Sequence, residues 1–344
     1  MWSRDRSNNA RMVAAAAALV LSVTAALGTA RAADEKTYVM KISLAAINDP
    51  LHQFAKDYAA ALEKDSGGRI KPEIYPASQL GSIPRQVEGT QFGAIQCVVT
   101  PPEFFSGIDE RFEVMAAPGL VTSMEHGQRL AADPEVLRLM LGLGAEKGLH
   151  GIALLMSTPS SIVAKSPLRH LADLKGKKLR TFASQFQSEA FGRLGVTPVA
   201  MSLGDVLPAL QQGAIDGAVA GTNVFVSLHF QDAGKYVTET GQPAIFGIAE
   251  VSKKWFDTLP PDLQKIVDND AAAAALTVNP EATVIDEKAR KSWIDSGGEL
   301  ITLPPDEQAD MLKTMASAGT DVSKEKPAVS LAYKIVSDAA ARTR

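Results

Sequence analysis

Short apolar segments alternate with longer amphipathic segments along most of the chain. Residues 38–44 have the pattern of a β-strand, and Phe54, Tyr58 and Leu62 then recur at the four-residue spacing of one helix face, up to the turn Ser66-Gly67-Gly68. Further strands are predicted at 70–75, 94–99, 151–156, 178–182 and 217–220, and further helices at 84–92, 184–194 and 203–211. Residues 126–148 predict one or two helices. Strands that alternate with helices in this way predict an α/β fold whose sheet is mostly parallel.

The last third of the chain is dominated by helical patterns. Residues 261–297 are rich in alanine and predict a long helix, with Pro280 as the expected interruption. Pro304-Pro305 begins another helix, and a polar helix follows to the C-terminus. No internal repeat or low-complexity linker separates the α/β units. We therefore expect two lobes that are joined by several crossing strands.

The N-terminal segment has the three parts of a secretory signal peptide. Arg4, Arg6 and Arg11 form a positive region, residues 12–27 form an apolar run, and Ala30-Arg31-Ala32 supplies the small residues that a signal peptidase requires. The apolar run is shorter than the ~20 residues that a membrane-spanning helix needs. We therefore expect residues 1–32 to be a cleaved signal peptide, and the mature protein to be exported.

Removal of the signal peptide makes the chain more acidic. Residues 1–32 hold four Arg and one Asp, so that the formal charge falls from −4 for the whole chain to −7 for the remaining 312 residues. An acidic chain is unsuited to nucleic acid, whose phosphates repel it. The single cysteine, Cys97, lies in an apolar segment and is expected to be a buried small hydrophobic residue.

Five short motifs follow one another through the mature chain. They are SGGRI at 66–70, YPASQLG at 75–81, DLKGKKLR at 173–180, LGVTPV at 194–199 and ALQQGAIDG at 209–217. In this order and at this spacing they resemble the DctP family, the solute-binding components of TRAP-type (tripartite) bacterial transporters. The resemblance fades after about Gly241, although Trp255 and Leu259-Pro260 still fit it.

The resemblance implies a fold, a location and a partner. The fold is α/β, a two-lobed periplasmic binding protein (Venus-flytrap) with mixed sheets and a long bridging helix. Lobe I is expected to comprise residues 33–157 plus about 246–285, and lobe II residues 158–245 plus about 286–344. The implied role is not enzymatic: a periplasmic protein captures a small organic carboxylate between its lobes and delivers it to the small and large membrane subunits of the transporter.

Arg180 is the strongest candidate for a ligand contact. It matches the arginine that receives the substrate carboxylate in this family, and a guanidinium can donate two parallel N–H bonds to a carboxylate. Three positions depart from the sugar-acid-binding members: Ser160 stands in place of a second arginine, Pro101 in place of a glutamate, and Ala220 in place of a frequent asparagine. Because a highly hydroxylated ligand would leave buried polar groups unpaired there, the departures favour a smaller or more apolar monocarboxylate.

Six other residues are predicted to line the site by their positions beside the strands. They are Asn48, Thr100, Phe104, Ser160, Phe182 and Asn223. Asn48 follows the first strand, Phe182 lies on the strand face of Arg180, and Asn223 is placed to replace the missing asparagine.

No arrangement of residues suggests a catalytic step, a metal site or a cofactor. The five histidines, at positions 52, 126, 150, 170 and 229, lack the spacing of zinc ligands, and the chain has neither a nucleophile elbow nor a phosphate-binding loop. Two other functions stay open from the sequence. One is the substrate-binding protein of an ATP-driven importer, and the other is a periplasmic enzyme built on the same bilobal scaffold.

Overall fold

The computed structural model describes residues 36–242 and 245–344, so that the predicted signal peptide lies outside the described residues. The α-helices of the described chain are α1 (Pro50–Asp65), α2 (Ile83–Phe92), α3 (Met124–Ala131), α4 (Pro134–Gly142), α5 (Gln185–Arg193), α6 (Leu203–Gln212), α7 (Thr222–Ser227), α8 (Lys253–Phe256), α9 (Pro261–Asp295), α10 (Pro305–Glu325) and α11 (Pro327–Arg342). None of the helices within these described ranges is both long enough and apolar enough to cross a bilayer.

The strands are shorter than most of the helices and belong to two sheets. They are β1 (Tyr38–Ser43), β2 (Ile70–Tyr75), β3 (Cys97–Thr100), β4 (Leu149–Thr158), β5 (Ser161–Ala164), β6 (Lys178–Thr181), β7 (Thr197–Ala200), β8 (Gly217–Ala220), β9 (Tyr236–Glu239), β10 (Ile245–Ser252) and β11 (Glu299–Thr302). The first sheet has the order β2-β1-β3-β10-β4, and the second has the order β11-β9-β5-β8-β6-β7.

Both sheets are mixed, as the resemblance implied. In the first sheet β1 is parallel to β3, whereas β10 is antiparallel to both of its neighbours, β3 and β4. In the second sheet β6 is parallel to β7 and β8, whereas β5 is antiparallel to β8 and β9. Two strands that are both antiparallel to the strand between them run in the same direction. Strands β1, β3 and β4 therefore share one direction, and so do all strands of the second sheet except β5. The mostly parallel sheet predicted from the alternation of elements is confirmed, with β10 reversed in the first sheet and β5 reversed in the second. Strands β5 and β10, which carry the chain from one sheet into the other, run against their neighbours.

The crossings between the sheets bring several strand ends together. Strand β4 ends at Thr158 and β5 begins at Ser161, and Ser161 lies opposite Ala220, the last residue of β8. The return crossing begins β10 at Ile245, opposite Thr158. In α/β sheets, ligands bind outside the carboxyl ends of the strands, so that this junction is the expected place for a site.

Helix α9 is the long helix that bridges the two sheets. It is 35 residues long and packs against α1 and β4 of the first sheet and against α7 and β11 of the second. It continues through Pro280, where the sequence predicted an interruption. A proline inside a helix removes one backbone hydrogen bond, but the apolar face of α9 stays buried on both sides of it, at Ala271, Ala274, Val278 and Ala282.

The second sheet is buried on both faces. On β5, Ile162 belongs to the apolar cluster that includes Met311 of α10, whereas the next residue, Val163, belongs to the cluster that includes Val206 of α6. Because successive side chains of a strand point to opposite faces, this alternation shows that helices cover both faces of the sheet. Cys97, at the start of β3, is fully buried, as the sequence predicted.

Candidate functional site

Arg180 lies near the end of β6 and is completely buried. Val199 of β7 and Ala218 of β8 lie opposite it on the neighbouring strands. The small side chain of Ala218 leaves room for the long side chain of the arginine beside it. Because an arginine is rarely buried without partners, the groups around the guanidinium indicate what this site can bind.

Two of the three guanidinium nitrogens are held by the backbone. Nε donates to the carbonyl of Met201 at 2.9 Å, and Nη1 donates to the carbonyl of Val219 at 2.8 Å. The third nitrogen, Nη2, is buried and has no hydrogen-bond partner among the described residues. The backbone therefore fixes the orientation of the guanidinium and leaves one cationic donor available.

An aromatic pair supports the guanidinium. Its Cζ atom lies 4.6 Å from the centroid of the Phe182 ring. The ring of Phe104 meets that of Phe182 edge-on, with centroids 5.9 Å apart and an interplanar angle of 90°. A cation over an aromatic face gains about 0.5–2 kcal/mol, and most when water is excluded.

Burial determines the charge balance around Arg180. Desolvation lowers the pKa of Arg180 to about 10, and the nearby carboxyl of Glu103 partly opposes this shift. Desolvation also raises the pKa of Glu103 to about 7, against the attraction of Arg180. At neutral pH the guanidinium is therefore charged while Glu103 is only partly ionised. The positive charge of Arg180 is incompletely balanced, which favours an anionic ligand.

A cavity opens at the junction of the two sheets, beside Arg180. It contains about 480 Å³ of space that no atom occupies, including the part open to solvent. Most of its lining is apolar, and it comes from both sheets and their connecting segments: Ala45, Ala46, Asp49, Leu51, Ile83, Val99, Thr100, Pro101, Phe104, Ser157, Thr158, Arg180, Phe182, Leu203, Ala220, Gly221, Val224 and Ile245. In a site of this composition a small number of polar groups fix the orientation of a ligand.

Four of the seven predicted site residues line this cavity together. They are Thr100, Phe104, Arg180 and Phe182, and Pro101 and Ala220, two of the positions that depart from the family pattern, line it as well. Thr100 contributes a second unsatisfied group, because its Oγ1 atom is buried and has no partner within the described chain. The structure thus places a cationic donor and a hydroxyl on one cavity.

Asn48, Ser160 and Asn223 do not line it. Asn48 is exposed and has a positive φ of 57°. Ser160 is buried but borders two other cavities. Asn223 is buried between the lining residues Gly221 and Val224, and its Oδ1 atom accepts a hydrogen bond from the amide of Val224 at 2.8 Å. A ligand role for these three residues stays a prediction.

Asp49 lines the cavity and was missed by the sequence reasoning. Its Oδ1 atom accepts a hydrogen bond from the amide of His52 at 2.8 Å, and so caps helix α1. An aspartate directly before a proline is a recognisable helix start, but this pattern does not reveal that the residue also lines a cavity. Among the described residues, no group of three or more His, Cys, Asp or Glu could hold a metal ion.

The model of the DctP family, described as bacterial extracellular solute-binding protein, family 7, matches residues 43–325. The chain belongs to this family. The match covers every residue that lines the cavity and all strands except β1, of which it includes only the last residue. The resemblance seen in the short motifs is therefore confirmed over most of the chain.

Two curated relatives of this DctP-family protein are periplasmic binding proteins. It is 26% identical over 282 residues to the C4-dicarboxylate-binding periplasmic protein DctP of Rhodobacter capsulatus, covering 81% of this chain and 84% of that protein. It is also 26% identical over 298 residues to the ectoine/5-hydroxyectoine-binding periplasmic protein UehA of Ruegeria pomeroyi, covering 86% of each.

Solved structures of TRAP periplasmic solute-binding proteins share the two-lobed fold. One from Desulfovibrio salexigens, with bound orotic acid, has a TM-score of 0.84 at 22% identity, covering 90% of this chain and 100% of that one. The sugar acid binding protein DctPAm of Advenella mimigardefordensis, in complex with galactonate, also has a TM-score of 0.84, at 19% identity and covering 90% and 99% of the two chains.

Proposed function

We propose that this DctP-family protein is the periplasmic solute-binding component of a TRAP-type secondary transporter, and that it captures a small carboxylate beside Arg180. The proposal rests on Nη2 of Arg180, a buried cationic donor that has no partner among the described residues. A carboxylate oxygen is the natural acceptor for such a donor, because a charge-assisted hydrogen bond is about twice as strong as a neutral one.

The ligand that we propose is a small or largely apolar monocarboxylate. The relatives and solved structures named above are described with different acids, among them C4-dicarboxylates, orotic acid and galactonate. In this chain Pro101 and Ala220 put apolar groups on the cavity wall. Thr100 Oγ1 and Arg180 Nη2 can each form a hydrogen bond with the carboxylate, and a ligand with many hydroxyl groups would find few other partners.

We propose that ligand capture closes two lobes around this cavity. Lobe I would comprise residues 33–157 and about 246–285, and lobe II residues 158–245 and about 286–344. The distribution of the strands between the two sheets supports this division, because β1–β4 and β10 form one sheet and the remaining strands form the other. The small and large membrane subunits of the transporter then recognise the closed form and take the ligand from it, without any chemical change to the ligand.

The proposal is tested by the thermal stability of the mature protein with a panel of monocarboxylates, dicarboxylates, sugar acids and neutral sugars. A ligand that binds only the native state raises the melting temperature. We expect the largest increase with a monocarboxylate, and the same ligand should be recovered unchanged after incubation. An increase with neutral sugars alone would contradict the carboxylate site.

Two variants then test whether Arg180 binds the carboxylate of the ligand. Arg180→Ala should cost on the order of 2–5 kcal/mol of binding free energy, the range for breaking a buried charge pair. The matched control is Lys178→Ala, which removes an exposed cation two residues earlier on the same strand and should bind normally. Binding to Arg180→Ala within twofold of the unchanged protein would show that the carboxylate lies elsewhere.

A further inference from the structure

Asp49 and Arg180 are the two ionisable side chains among the described residues that line the cavity. Asp49 belongs to the segment between β1 and α1, which adjoins the first sheet, and Arg180 belongs to the second sheet. Both are buried, with 3% and 0% of their surface exposed. The ion pairs found in the described part of the chain do not join them, so that the cavity is lined by two buried charged residues that do not neutralise each other.

The carboxyl group of Asp49 has little to balance it. Its Oδ1 atom accepts one hydrogen bond, from the amide of His52, and the amides of the first turn of α1 lie close by. No basic side chain of the described residues forms an ion pair with it, and Lys56 acts on it only at longer range. Burial therefore raises the pKa of Asp49 to about 6, which leaves the group mostly ionised at pH 7.5.

An ionised carboxylate only accepts hydrogen bonds. Most other residues of the cavity wall are apolar, among them Ala46, Leu51 and Ile83, and their side chains offer no donor. A ligand that places an aliphatic group against Asp49 would leave a buried acceptor unsatisfied, at a cost in affinity. A ligand that places a second carboxylate there would meet a like charge in a site that excludes water.

We propose that Asp49 is a specificity-determining residue that selects monocarboxylates carrying a hydrogen-bond donor at the end remote from the carboxylate. The donor is a hydroxyl or an ammonium group, and a second carboxylate at that end is rejected. This inference rests on the proposed function, since it assumes that Arg180 holds the first carboxylate.

Four ligands of one chain length test which chemical group Asp49 prefers at the far end of the ligand. They are 4-hydroxybutanoate, 4-aminobutanoate, pentanoate and glutarate. They differ only in the group at the far end, which is a hydroxyl, an ammonium, a methyl or a second carboxylate. With the mature protein at pH 7.5, calorimetric titration should show that the hydroxyl or the ammonium compound binds at least tenfold more tightly than pentanoate. Glutarate should bind most weakly, and comparison of the first two compounds identifies the donor.

Asp49→Asn keeps a side chain that can cap α1 and removes the charge. In this variant the advantage of the donor-bearing ligand over pentanoate should fall to less than threefold, and glutarate should gain affinity. Asp65→Asn, which removes an exposed charge at the other end of α1, should leave the ranking unchanged.

The inference would be overturned if pentanoate or glutarate bound most tightly, or if none of the four compounds bound. It would also be overturned if Asp49→Asn showed the same affinity ranking as the unchanged protein. The proposed function is judged separately, by the loss of monocarboxylate binding in Arg180→Ala.

Discussion

The Oδ1 atom of Asn279, in the middle of α9, accepts a hydrogen bond from the backbone amide of Met156 on β4 at 3.1 Å. Both residues are buried. Beside Met156, the pairing of β4 with β10 is irregular, because Ile245 and Phe246 lie opposite Thr158 and Met156, which skips one residue of β4. The side chain of Asn279 thus satisfies a strand amide and fastens the bridging helix to the first sheet.

Replacing Asn279 by Ala should lower the free energy of unfolding by about 1–3 kcal/mol, because the buried amide of Met156 loses its acceptor. Urea unfolding measures this change. Thr277→Ala is the control, since Thr277 is exposed on the same helix and its hydroxyl bonds only to the carbonyl of Ala273. Equal stability of the two variants would show that the hydrogen bond to Met156 contributes nothing.

We expect that lysine at position 180 cannot support ligand binding as arginine does. The guanidinium uses Nε and Nη1 to bind the carbonyl groups of Met201 and Val219, and this geometry fixes its plane and leaves Nη2 without a partner among the described residues. A lysine has a single nitrogen and cannot donate in the same planar arrangement. We therefore expect Arg180→Lys to weaken binding of the monocarboxylate by at least about 2 kcal/mol, as measured by calorimetric titration. Near-normal affinity would mean that charge alone is recognised.

Replacement by alanine should change the free energy of unfolding in opposite directions at two glycines, Gly221 and Gly192. A methyl group at Gly221, which lines the cavity, would overlap Cγ2 of Thr158 and would lie 2.5 Å from Oδ1 of Asn223. Gly221→Ala should therefore lower the free energy of unfolding by about 1–3 kcal/mol and reduce ligand affinity. Gly192 lies within α5, and a methyl group there meets no atom within 4 Å.

Gly192→Ala should raise the stability by about 0.5–1 kcal/mol, because alanine loses less backbone freedom in a helix than glycine does. Thermal or urea unfolding of both variants, with a ligand titration of each, checks the pair. Unchanged stability and binding in Gly221→Ala would indicate that the segment relaxes around the added group.

Glu250 should make stability depend on pH. It is fully buried on β10, and neither carboxylate oxygen has a partner among the described residues. Burial raises its pKa well above the ordinary value of 4.5. The contribution of Glu250 to stability is therefore fully present below pH 4.5 and is lost as the pH rises towards the folded-state pKa, because only the unfolded chain releases the proton over that range.

Glu250→Gln removes this titration at nearly constant shape. Relative to this variant, the original protein should lose about 1.4 kcal/mol of stability for each pH unit between about pH 5 and the pKa of Glu250 in the folded state. Urea unfolding of both proteins at pH 4.5, 6 and 7.5 measures the difference. The exposed Glu88 of α2 provides the control variant Glu88→Gln, and a difference that stays constant with pH would contradict the burial effect.

The local sequence pattern was sufficient to predict most helices and strands. The family resemblance was sufficient to select Arg180 as the candidate ligand contact. Helix starts such as Ser184 and the strand that ends at Thr181 can be predicted from short stretches of sequence. Helix capping and the alternation of buried and exposed side chains in a strand both depend on residues that are close in the sequence. The same patterns predicted Thr100, Phe104 and Phe182 at strand ends, and the structure places these residues on the cavity of Arg180.

Tertiary structure decided what depends on distant contacts and on single backbone angles. Strand β10 lies between β3 and β4 because pairing across roughly 90 to 150 residues is favourable only in the assembled sheet, and this arrangement makes the sheet mixed. Asn48 has a positive φ and is exposed, while the neighbouring Asp49 lies buried on the cavity. Adjacent polar residues look alike in a sequence, and only the folded backbone selects which of them faces a ligand.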